Sequence, residues 1–162
     1  MKIKEGERLP VSEFFYLDKE NSVKKIKSTE LFKGQKIIVV GVPGAFTKVC
    51  SAKHLPGYVQ NYEKAKQKGV TKIICISVND PNVMKAWGEN QKIKDKIFMA
   101  ADSFCEFTKA IGADVDKSAK GLGIRSVRYT MLVENEVIKK IKEEEDTGIC
   151  ETSAAENFIR DI

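Results

Sequence analysis

Residues 41 to 57, Gly-Val-Pro-Gly-Ala-Phe-Thr-Lys-Val-Cys-Ser-Ala-Lys-His-Leu-Pro-Gly, hold the side chains best suited to chemistry. An apolar run from Ile37 to Val40 reads as a buried strand before them, and a pattern of helical period follows. Cys50 therefore falls in or near a helix's first turn. Unpaired amides and the positive end of the helix dipole favour an anion there, and with it a thiolate. Thr47 precedes Cys50 by three residues, which can put its hydroxyl on the sulfur's side of the turn. Pro43 and Gly44 end the strand and set how the chain enters the helix. A thiol, a hydroxyl and free amides then converge, as a thiol nucleophile requires.

The same residues carry a family resemblance. Pro43-x-x-x-Thr47-x-x-Cys50 matches the active-site motif of the peroxiredoxins, and PGAFT-x-x-CS-x-x-HLPGY resembles the type II, or peroxiredoxin-5-like, subfamily. SVNDPNVMKAW at 77–87, GLGIRSVRYTMLVEN at 121–135 and ETSAAENFI at 151–159 extend the resemblance over nearly the whole chain. One position departs: many members have proline after the threonine, and this chain has Lys48. The change forgoes a pre-set first helical residue and adds a cation near the sulfur. The resemblance implies a thioredoxin fold, a peroxidase for hydrogen peroxide and alkyl hydroperoxides that uses no cofactor, and a homodimer.

Ionisation alone cannot make such a thiol fast. Lowering a thiol from about 8.5 to about 6 raises its anionic fraction at neutral pH about thirtyfold. Nucleophilicity falls with basicity at a slope of about 0.4 to 0.5, which gives back around tenfold. Donors already aimed at the departing oxygen are needed as well. The expected set is the Thr47 hydroxyl, the amides of Val49 and Cys50, and the guanidinium of Arg128 at the start of an expected strand, where the resembling family also places an arginine. The cycle expected is attack by Cys50 on the hydroperoxide, release of an alcohol, and a sulfenic acid that a second thiol reduces.

Three more cysteines compete for that last role. Cys150 lies in an expected loop before a capped helix, and some members of the subfamily resolve through a thiol in such a loop, with thioredoxin as reductant. Cys75 sits inside an apolar strand as a core residue, yet plant-type members that use glutathione and glutaredoxin carry a second cysteine in a similar CISVND string. That match favours glutathione and glutaredoxin. Cys105, between Phe104 and Phe107, reads as packing. His54 follows Cys50 by about one turn but an ionised thiolate needs no base, so it reads as structural. Trp87, Phe104 and Phe107 read as core or interface.

Composition bounds the remaining possibilities. At 162 residues with 42% hydrophobic content and no compositional break, the chain reads as a single domain over residues 1–162. It has neither an apolar run of about eighteen residues nor a secretory leader, so a cytoplasmic protein without a membrane span is expected. The net charge of +5 comes from lysines spread among 23 acidic residues, a pattern that speaks against nucleic-acid binding. Arginine occurs only as Arg8, Arg125, Arg128 and Arg160, so each stands out. No C-x-x-C pair and a single histidine argue against a zinc site and against a thioredoxin-type dithiol. A general disulfide reductase is thereby weakened. A non-enzymatic reading, a redox-sensing or chaperone-like protein whose binding surface follows Cys50 oxidation, also fits the motif.

The elements that must position these groups follow in order. Glu13 to Leu17 and Val23 to Ile26 read as a hairpin, and Ser28 as the cap of a short helix over Thr29 to Phe32. Lys36 to Val42 and Thr71 to Val78 read as central strands. A helix from Lys48 is expected to be disturbed at Pro56 and to resume from Tyr58 to Lys68. Asp80 and Pro81 open a helix to Gln91, Ile97 to Ala100 is a third strand, and Asp102 caps a helix through Phe104, Phe107 and Ile111. After a loop at 112–123, Ser126 to Val133 and Val137 to Ile141 form a hairpin, and Ser153-Ala-Ala-Glu156 reads as a capping box. The order implies a three-layer α/β sandwich with a mixed sheet.

Overall fold

Strands without a polar face must be covered on both sides, and the two such runs lie at the centre of the sheet. In the computed structural model, which describes residues 1–162, they are β3 (Lys36–Gly41) and β4 (Lys72–Ser77), paired in parallel with Val40 opposite Cys75. β5 (Ile97–Ala101) extends the parallel set beyond β4. β8 (Tyr129–Glu134) runs antiparallel to β3, and β9 (Val137–Glu143) pairs with β8. The hairpin of β1 (Glu13–Leu17) and β2 (Val23–Lys27) joins β5 through one pair, Phe15 with Ala101. The order β2-β1-β5-β4-β3-β8-β9 is the expected thioredoxin-like mixed sheet with an N-terminal hairpin.

Six α-helices complete the layers: α1 (Ser28–Phe32), α2 (Leu55–Gln60), α3 (Tyr62–Gln67), α4 (Pro81–Asn90), α5 (Glu106–Ala110) and α6 (Ala155–Arg160). Alternation along the strands sends Ile38, Val40, Ile73, Cys75 and Leu132 to one face, where Leu55, Tyr58, Met84, Trp87 and Phe158 cover them. Ile37, Val39, Ile74, Ile76 and Met131 face the other way, against Leu31, Phe32 and Phe107. Each large side chain so buried contributes about 1.5 to 3 kcal/mol of transfer free energy. Cys50 belongs to the first face, so the chemistry sits on the side of α2, α4 and α6.

Several local expectations are corrected. Ser28 lies inside α1 rather than capping it, because its hydroxyl donates to Pro10 O and accepts from Ser12 N. The capping box at Ser153 does not form: its hydroxyl donates to Glu144 Oε2 at 3.1 Å, and Ala154 stands at the helix start. Asp102 does accept from the Phe107 and Thr108 amides, but Cys105 takes a left-handed φ of 62° and α5 begins only after it. Phe104 is consequently outside the helix and 70% exposed, while Trp87 and Phe107 are core. The loop at 112–123 holds a strand, β6 (Asp114–Asp116), that pairs with β7 (Ile124–Ser126). Ser126 thus ends one strand, and the long strand begins at Tyr129, leaving Val127 and Arg128 as a link.

The helix after β3 departs from expectation as well. It begins at Lys48, but residues Cys50–His54 form a π-helical turn in which Leu55 N donates to Cys50 O. Pro56 has no N–H for a regular bond to Ala52, so the wide turn sits immediately before it. The later break falls at Asn61, whose side-chain amide donates to Gly57 O at 2.8 Å.

Candidate active site

Cys50 occupies the first turn of the helix, where the amides of Lys48, Val49 and Cys50 donate to no protein acceptor. Those groups are the orphan donors every helix start leaves. Thr47 Oγ1 donates to Gly44 O at 2.7 Å, which fixes the hydroxyl and leaves its lone pairs free. Gly44 itself is constrained, since a Cβ there would lie 3.1 Å from Thr47 Cγ2 and 3.2 Å from Arg125 Nη1. Thr47 and Val49 are half-buried, Phe46 and Lys48 exposed, and Cys50 fully covered.

Arg128 supplies the charge. It is 1% exposed, and its Nη2 donates to Cys50 Sγ at 3.2 Å. Nε and Nη2 both donate to Thr147 O, at 3.2 and 3.0 Å, and Nη1 donates to His54 Nδ1 at 3.0 Å. These four bonds leave one Nη1 hydrogen without a protein acceptor. The link between β7 and β8 makes this reach possible, because it frees Arg128 from both ladders while Glu144 N holds its carbonyl at 2.9 Å.

Behind the guanidinium lies a buried polar chain. His54 Nε2 is 3.2 Å from Thr130 Oγ1, and Thr130 Oγ1 and Tyr58 OH both donate to Ser153 O, at 3.0 and 2.6 Å. Burial, and then the Arg128 charge, lower His54 to about 3, so the ring is neutral at physiological pH. Burial pushes the Tyr58 hydroxyl well above its ordinary range, so it stays protonated.

The chain matches the family model described as Redoxin over residues 4–159. It is 37% identical over 155 residues to Peroxiredoxin-2D of Arabidopsis thaliana, covering 96% of this chain and 95% of that one. The chain belongs to the peroxiredoxin family. Peroxiredoxin-2E of the same plant, a chloroplastic protein, is 40% identical over 96% of this chain and 67% of its own length. Among solved structures, reduced Prx3 of Vibrio vulnificus in complex with H2O2 superposes with a TM-score of 0.92 at 41% identity, covering 98% of each chain. Peroxiredoxin 5 of Alvinella pompejana gives 0.85 at 32% identity, over 98% of this chain and 96% of that one. This peroxiredoxin is accordingly of the type II, peroxiredoxin-5-like branch, and is a thiol peroxidase.

Of the residues singled out in the sequence, Cys50 and Arg128 are in direct contact, Thr47 is tied to Gly44 just before the same turn, and Pro43 is buried. All four cysteines are free thiols. Cys75 is buried in β4, and burial raises its thiol far above the ordinary range. Cys150 is half-buried beside Lys53, Pro56 and Gln60 in a cleft of about 300 Å³; burial raises its thiol and the Arg128 charge opposes that. Cys105 packs under the turn before α5, and burial raises its thiol too. The contacts of His54, Thr130, Thr147 and Arg125 were not readable from the chain. Only the scarcity of arginine pointed at Arg125, which donates to Leu122 O and Val78 O and braces Gly44. No helix is long and apolar enough to cross a membrane.

Proposed function

We propose that this peroxiredoxin reduces hydrogen peroxide and alkyl hydroperoxides through Cys50, with Arg128, Thr47 and the Val49 and Cys50 amides holding the peroxide. The contact that carries the reading is Arg128 Nη2 to Cys50 Sγ at 3.2 Å. The thiolate attacks one peroxide oxygen, the O–O bond breaks, and the other oxygen leaves as water or alcohol after taking a proton. Sulfur is left as a sulfenic acid. Negative charge moves from sulfur to the departing oxygen, so donors fixed along that line favour the transition state over the ground state. The unassigned Nη1 hydrogen of Arg128 and the orphan amides are such donors, and the free lone pairs of Thr47 can accept from the bound peroxide.

Regeneration by glutathione and glutaredoxin is the reading we favour. An outside thiol attacks the sulfenic sulfur, water leaves, and a second thiol reduces the mixed disulfide. Two observations support it: Cys75 is fixed in a central strand, and the Cys150 loop is held by Arg128 at Thr147 and by Glu144 at residues 151 to 153. The half-buried Cys150, which feels the Arg128 charge, favours a second reading in which it resolves Cys50 internally and thioredoxin is the reductant. The proposal includes a reducing cytoplasm, in keeping with four free thiols, and a homodimer, for which exposed Phe46 and Ile149 offer apolar surface on loops flanking the site. Arg128→Lys tests the central claim. A loss of about a hundredfold in the rate with hydrogen peroxide is expected, and an unchanged rate removes Arg128 from the reaction.

A further inference from the structure

Arg128 has two neighbours that hold it away from solvent, the Thr147 carbonyl and the His54 ring. We infer that His54 is a positioning residue, a neutral hydrogen-bond acceptor that fixes Arg128 in the orientation that serves Cys50. The inference rests on the proposed role of Arg128. Its basis is donor arithmetic among buried side chains. A guanidinium can only donate, so at 3.0 Å from Nη1 the Nδ1 of His54 must carry a lone pair. The ring proton then lies on Nε2 and is received by Thr130 Oγ1 at 3.2 Å. Thr130 passes its own hydrogen to Ser153 O, which Tyr58 also engages. Every member of the chain has a partner, so the tautomer is fixed from behind.

A neutral acceptor at this point positions the guanidinium without adding a second anion beside it. A carboxylate would compete with the Cys50 thiolate for the guanidinium charge, and an imidazolium would repel it. The imidazole binds one nitrogen of the fork without neutralising it, and the charge stays available to sulfur and peroxide. Burial of His54 to 0% exposure prevents water from replacing it. The ring also bridges two elements, since His54 ends the π-helical turn that begins at Cys50 while Thr130 lies on β8. Nucleophile and guanidinium are thereby set relative to each other.

His54 is the sole histidine, so nitrogen NMR of the reduced wild-type protein reads its tautomer without ambiguity. A neutral ring protonated at Nε2 is expected, and an Nδ1–H tautomer or an imidazolium at neutral pH overturns the inference. His54→Leu removes the acceptor and is expected to slow the reaction with hydrogen peroxide by roughly tenfold to a hundredfold, as a shift of about 1 Å in a reacting group can do. His54→Asn, whose amide oxygen can stand near Nδ1, should recover most of that loss. Iodoacetamide alkylation of Cys50 separates positioning from collapse. It should stay at or below the wild-type rate in His54→Leu if only the guanidinium is released, since the thiolate then loses a neighbouring cation, whereas a disrupted site uncovers the buried sulfur and speeds alkylation. An unchanged peroxide rate in His54→Leu, an Asn variant no better than Leu, or faster alkylation alongside the lost peroxide rate each overturns it. Should His54→Leu fail to fold, Thr130→Val serves instead, with a several-fold loss of peroxide rate expected and none counting against the claim. Arg128→Lys in the same assay keeps the two readings apart: full activity there ends the reading of Arg128, while loss there with normal His54→Leu ends only the positioning role.

Discussion

Trp87 donates its indole N–H to Ser51 Oγ at 2.9 Å, tying the middle of α4 to the residue that follows Cys50. The π-helical turn is therefore held from the α4 side as well as by its own bonds. Trp87 is the only tryptophan and is fully buried, so its emission reports that contact. One equivalent of hydrogen peroxide is expected to change the emission of the wild-type protein and to leave that of Cys50→Ser unchanged. Ser51→Ala removes the bond, and a loss of about 1 kcal/mol in urea unfolding is expected.

Glu144 acts on the other side of the site. Its buried carboxylate accepts from the Glu151 and Thr152 amides and from the hydroxyls of Thr152 and Ser153, closing the loop that bears Cys150. Burial pushes its carboxyl up, but these bonds outweigh that and hold it below the usual glutamate range. The folded value lies below the unfolded one, so the unfolded chain takes up the proton first. The stabilisation is complete above the unfolded value of about 4.3 and is lost as pH falls through the folded one. Glu144→Gln should cost about 2 to 3 kcal/mol at neutral pH, and its urea midpoint should approach that of the wild type in acid. A constant gap between the two proteins down to the acid limb contradicts this account.

Gly41 and Tyr129 face each other across β3 and β8, and a Cβ on Gly41 would fall 2.0 Å from Tyr129 Cε1. The aromatic ring occupies the space that any side chain at 41 would take. Gly41→Ala is expected to destabilise by about 3 kcal/mol, measured as the shift in urea midpoint. The Tyr129 hydroxyl is buried and has no partner, so Tyr129→Phe should stabilise by about 1 kcal/mol. Destabilisation by Tyr129→Phe would mean that the hydroxyl is satisfied in solution.

The central strands, the Cys50 turn and the placing of Arg128 beside Cys50 were legible because each rests on a local pattern: continuous apolar runs, a strand-to-helix motif, and a rare residue in a resembling string. What could not be read depends on partners distant in sequence. Ser28 and Ser153 have the composition of helix caps, yet the backbone of residues 10 to 12 and the carboxylate of Glu144 claim their hydroxyls first. The strand predicted from Ser126 is cut short because β7 pairs with β6, a contact between two segments of weak strand character. His54 was expected to be structural, and no spacing rule could show that Arg128, 74 positions later, would donate to its ring.

The choice of reductant turns on where the other thiols lie. Cys75 sits on the central strand β4 with no exposure, and burial holds it protonated, so it is a poor attacking group. The loop that bears Cys150 is tied to Arg128 through Thr147 O and to Glu144 through residues 151 to 153, and those bonds resist any movement of Cys150 toward Cys50. An outside thiol must in turn reach Cys50, which is itself fully buried. With glutathione and glutaredoxin, Cys75→Ser and Cys150→Ser should each keep turnover within about twofold of the wild type at moderate temperature, as neither thiol is then on the path. Cys75→Ser should still lose about 1 to 2 kcal/mol in unfolding, because a hydroxyl replaces a thiol in an apolar strand. Collapse of turnover in Cys150→Ser with thioredoxin, and a Cys50–Cys150 disulfide in the oxidised wild type, would transfer the resolving step to Cys150.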